Sequence, residues 1–126
     1  MEFDVRFDAD LGAIVATISD EMKDPRDFAF LAREIVAAAE ASGCYRVLTD
    51  LRGVPSRLSI VDVYDISHMA AEEGLNWRFK RAIVIGDPDL ILEFYAVTSR
   101  NRGHNLRAFS SLEEAVTWLG DRRQTA

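Results

Sequence analysis

A chain of 126 residues with 48% hydrophobic and 29% charged content has the size of one domain, and it is too apolar for the intrinsically disordered class. Its formal net charge of -6 repels a phosphate backbone, which argues against nucleic acid as a partner, and the single Cys44 leaves no internal disulfide to staple the fold. No run approaches the ~20 apolar residues of a membrane span, and the opening MEFDVRFDAD lacks the basic and apolar segments of a secretory signal, so the expected compartment is the cytoplasm.

Phe3, Val5 and Phe7 alternate with Glu2, Asp4, Arg6 and Asp8, the period of a strand with one buried face. The turn formers Asp8 to Gly12 then lead into Ala13 to Ile18, which predicts an antiparallel hairpin whose second strand is the more central. Asp24-Pro25 has the character of a helix start, and Phe28, Leu31, Ala32, Ile35, Val36 and Ala39 draw one apolar stripe as far as Gly43. Cys44 to Asp50 returns to extended structure. After the loop Gly53 to Arg57, Ser59 and Asp62 have the spacing of a capping pair, opening a helix to about Glu73 that Gly74 stops. Lys80 to Ile85 is a fourth strand. Asp87-Pro88 repeats the cap-and-proline device ahead of a third helix ending near Gly103; Asn105 to Phe109 is a short strand, and Ser110 or Ser111 caps a last helix.

This order predicts an α/β fold: a five-stranded mixed, mostly parallel sheet made of an N-terminal hairpin followed by right-handed βα units, with four helices. One domain covers residues 1–120, with 121–126 as a frayed tail. Arg6, Arg46, Arg81 and Arg107 fall one on each of four strands, whereas a parallel sheet covered on both faces reads as nearly continuous Val, Ile and Leu. One face is therefore expected to be incompletely covered.

The hairpin, VLTDLRG after the third strand, FKRAIVIGD around the fourth and LRAFSSLEEAVTWL at the end together resemble the SpoIIAA-like family, grouped with the STAS and SEC14-like domains. The resemblance spans nearly the whole chain. It implies a βα superhelix with sequentially adjacent strands and a role in binding without catalysis, hence no cofactor. In STAS-type antagonists the loop after this strand resembles Asp-Ser-x-Gly, and the serine carries a regulatory phosphate; here the four residues are Asp50, Leu51, Arg52 and Gly53. Leu51 has no hydroxyl, so that switch does not carry over. The SEC14-like side of the resemblance implies a lipid or another small apolar ligand.

The candidate partner or ligand surface is Asp50, Arg52, Gly53, Arg57, Ser59 and Trp77. Asp50 stands at the carboxyl end of a strand, where ligands dock in open α/β sheets; its alternative role is to accept hydrogen bonds from the amides of Arg52 and Gly53 and fix the turn. Arg52 and Arg57 are bidentate anion binders by geometry or solvated loop arginines. Trp77 and Phe79 either anchor a partner or cover the core above strand four. Asp65, His68 and Glu72 have the i, i+3, i+7 spacing of a shared helix face, read as a wet face in preference to a metal site, and His104 is a connector histidine. No metal, cofactor or catalytic set is assigned. The leading expectation is a protein partner held by the loop after strand three; a small apolar ligand is the alternative, and two-fold self-association would hide an under-covered sheet face.

Overall fold

The computed structural model describes residues 2–19, 25–52, 59–86 and 90–121. The expected Asp24 and Asp87-Pro88 helix starts, the Gly53 to Arg57 loop and most of the 121–126 tail lie outside the described residues. The elements are β1 (Phe3–Asp8), β2 (Ala13–Ile18), α1 (Pro25–Ser42), β3 (Arg46–Asp50), α2 (Ile60–Glu72), β4 (Lys80–Val84), α3 (Leu90–Asn101), β5 (Asn105–Phe109) and α4 (Leu112–Gly120). The fold is α/β. Its five strands lie side by side in chain order, with β1 antiparallel to β2 and every later pair parallel.

Local chemistry accounts for the element ends. Gly43 and Gly74, at φ of 72° and 100°, stop α1 and follow α2 in a left-handed conformation that a side chain would disfavour. Ser59 and Asp62 form a reciprocal capping box: the Asp62 amide donates to Ser59 Oγ at 3.2 Å and the Ser59 amide to Asp62 Oδ2 at 2.9 Å. Of the two serines ahead of α4, Ser111 is the cap.

The sheet has two unequal faces. Ile14, Ala16, Ile18, Val47, Ile83 and Leu106 point toward α1, α2 and α3 and pack with Leu31, Ile35, Val63, Ile66 and Leu92 into the main core. Among the described residues the opposite face is covered by α4 alone: Ala115, Trp118 and Leu119 close over Leu48, Ala82 and Val84. Asp4, Arg6 and Thr17 on β1 and β2 remain exposed on that side, as the strand arginines predict. Arg6 is flanked there by Asp4 and Asp8 at 3.9 and 3.5 Å. The four arginines do not share a face, however, since the register sets Arg81 between Val47 and Leu106, on the helix side.

Lys80 is 2% exposed although it opens a strand. Its ammonium crosses under α4, donates at 2.6 Å to the carbonyls of both Trp118 and Asp121, and lies 4.6 Å from the Trp118 ring centroid. A cation at the carboxyl end of a helix meets both the orphan carbonyls and the negative end of the dipole. Burial, and next the charge of Arg46, hold this ammonium below the usual lysine range, with Asp121 opposing them.

Candidate functional site

At the carboxyl end of β3, Asp50 is occupied by its own loop. The Arg52 amide and Nε donate to Asp50 Oδ1 at 3.1 and 3.0 Å, and Arg52 Nη2 donates to Oδ2 at 2.8 Å. This joins the turn-fixing hydrogen bond expected of Asp50 to a bidentate ion pair. The guanidinium holds the Asp50 carboxyl below the usual carboxylate range, burial opposing it, and the Arg52 pKa is raised in return. Ser59 is committed to its capping box. Gly53 and Arg57 lie outside the described residues.

The remaining sequence candidates do not join them. Trp77 is 68% exposed, but it precedes β4, at the opposite end of the sheet from Asp50. Phe79, two residues on, is buried edge-to-face against Tyr45 with ring centroids 5.1 Å apart, so the connector aromatics divide between surface and core. His68 Nε2 is 3.0 Å from Glu72 Oε1 on an exposed helix face. Among the described residues no group of three or more His, Cys, Asp or Glu is placed to hold a metal ion, and no helix is long and apolar enough to cross a membrane. His104 precedes β5, again at the far end of the sheet from Asp50; the residue is half-buried, but its Nδ1 is fully buried and has no hydrogen-bond partner among the described residues. Burial, then Arg81 and Arg102, hold its imidazole below the ordinary value of 6.5. Cys44 is partly buried, its Sγ 3.3 Å from the Gly12 carbonyl oxygen.

The feature that sequence reasoning missed lies between the sheet and the three helices. A chamber there is walled by Leu31, Ile35, Ile66, Leu75, Ile83, Leu92 and other apolar residues of α1, α2, α3, β4 and the segments that follow β3 and α2. Its cavity volume is about 40 Å³. That is room for about three waters, or a few carbon atoms, with the walls as they stand. Leu51, which follows β3, is buried and lines this chamber. The polar lining comes from Thr49, Arg81 and Tyr95. Arg81 is 8% exposed and its Nη2 donates to Tyr95 Oη at 2.9 Å. None of the ion pairs among the described residues involves Arg81. The sequence carried one signal: Arg81 shares the strand face of Ile83 and Ile85, an interruption of an otherwise apolar row.

The chain matches no protein-family model, and no curated protein matches it significantly.

Proposed function

We propose that this is a non-enzymatic binding domain of SpoIIAA-like type whose ligand is a small apolar molecule held in the chamber under α1, α2 and α3. The observation that carries this reading is the chamber itself, a space lined chiefly by aliphatic side chains beside the main core. The domain acts without a cofactor, and its compartment is the cytoplasm. Protein recognition through the loop after β3, the sequence's first expectation, has less support: Arg52 is engaged by Asp50, and Trp77 lies at the other end of the sheet.

The test is a titration of the isotope-labelled protein with 1-hexanol, an uncharged probe, followed by NMR. Ile35, Ile66, Ile83 and Leu92 are expected to shift together and saturably. Ala70 lines the chamber, so Ala70→Leu, checked for folding by circular dichroism, is expected to weaken the response by filling space. Shifts scattered over the surface, or an undiminished response in folded Ala70→Leu, would overturn the reading.

A further inference from the structure

Arg81 is the residue that the apolar-ligand reading alone does not explain. Its Cα neighbours across the sheet, Val47 and Leu106, are both completely buried, and Arg81 shares the chamber wall with aliphatic side chains, although none of its guanidinium nitrogens is a fully buried atom lacking a partner. An arginine stays charged in proteins and offers five N–H donors, and a buried charge is costly unless paired. Among the described residues its hydrogen-bond partner is one neutral hydroxyl, that of Tyr95, and no carboxylate pairs with it. A leucine or methionine would fill this position without that cost, so packing does not account for it. Its positive charge is also felt at a neighbour, helping to hold His104 in its neutral form.

Resting on the chamber as a ligand site, we infer that its occupant is a small apolar carboxylic acid, the carboxylate bound by Arg81 and Tyr95 and the hydrocarbon end lying among Leu31, Ile35, Ile66 and Leu92. The chemistry of the pair fits an anion. Tyr95 Oη accepts from Arg81, which leaves its own hydrogen free to be donated, and the guanidinium has further N–H groups for a second, charge-assisted contact. A carboxylate would thus neutralise the buried cation while its alkyl part replaces void. At about 40 Å³ the chamber takes only a few carbons of such an acid with its walls as they stand, so a six-carbon chain or a ring requires α1 and α2 to move apart.

Hexanoate and 1-hexanol, matched in chain length, separate the head from the tail. In the unaltered protein at neutral pH, hexanoate is expected to bind at least about tenfold more tightly than hexanol, as one charge-assisted contact supplies. Arg81→Met is expected to abolish that preference while hexanol binding survives, and Tyr95→Phe to reduce it about threefold. A merely structural Arg81 would alter stability without altering the ratio of the two affinities. Hexanol binding without any preference for hexanoate would overturn the carboxylate inference and leave the chamber standing. Binding of neither probe would overturn both. Should Arg81→Met fail to fold, Tyr95→Phe decides: an unchanged ratio counts against the inference.

Discussion

His104 and Asp50 respond to acid in separate windows. Folding lowers the pKa of His104 beneath 6.5, so the unfolded chain binds more protons just below that value. Stability due to this residue falls as pH drops through 6.5, and the full penalty is in place below the lowered folded value. For Asp50 the folded pKa lies under the ordinary 3.8. The stabilisation it gives is present above 3.8 and is lost as pH falls through that lower folded value. Urea midpoints measured from about pH 7.5 downward should therefore decline in two limbs. His104→Gln is expected to flatten the upper limb and Asp50→Asn the lower; a profile unchanged by either would contradict the environments described.

At the level of elements, α4 is held by a device that no periodicity announces. Lysine at the start of a strand reads as a solvated edge, and Lys80 so read is indistinguishable from Arg46 in the sequence. Only the tertiary position of α4 places two carbonyls within reach of its ammonium. Lys80→Met retains most of the packing volume and removes both contacts, which is expected to lower stability by about 2 to 4 kcal/mol in urea denaturation. Hydrogen exchange should localise the loss to the last turn of α4. By contrast, the Ser59 and Asp62 capping box was legible in full, since that signal is local and both partners lie within one turn. The β2 and β5 boundaries and the left-handed Gly43 were readable for the same reason, whereas β3 begins at Arg46, two residues after the Cys44 start expected, and β4 ends at Val84, one residue before Ile85.

For the molecule as a whole, pattern was informative about architecture and poor on the site. Apolar alternation and helix punctuation determine the order of strands and helices, and the five-strand sheet follows from them. Empty space has no sequence signature. The chamber arises because the facing residues of three helices and two strands together fall short of filling the volume between them, a sum over distant positions. The one trace it left was Arg81, which the sequence grouped with the arginines of the other face. A ligand in that chamber binds the folded chain alone, so it stabilises the domain by mass action: hexanoate at a hundred times its Kd is expected to add about 2.7 kcal/mol to the unfolding free energy. The change in urea midpoint at constant slope measures it, and no change at that occupancy would contradict an internal site.

The link from Lys80 to Trp118 and Asp121 also bears on how the chain is made. The ammonium belongs to the fourth strand, while its two acceptors lie 38 and 41 residues further along. A nascent polypeptide that has released β4 from the ribosome carries this charge with nothing to receive it, and the outer face of the sheet stays open until α4 has emerged. Completion of the domain is thus tied to its last helix: the strand laid down fourth waits, with its cation in water, for the residues that bury it.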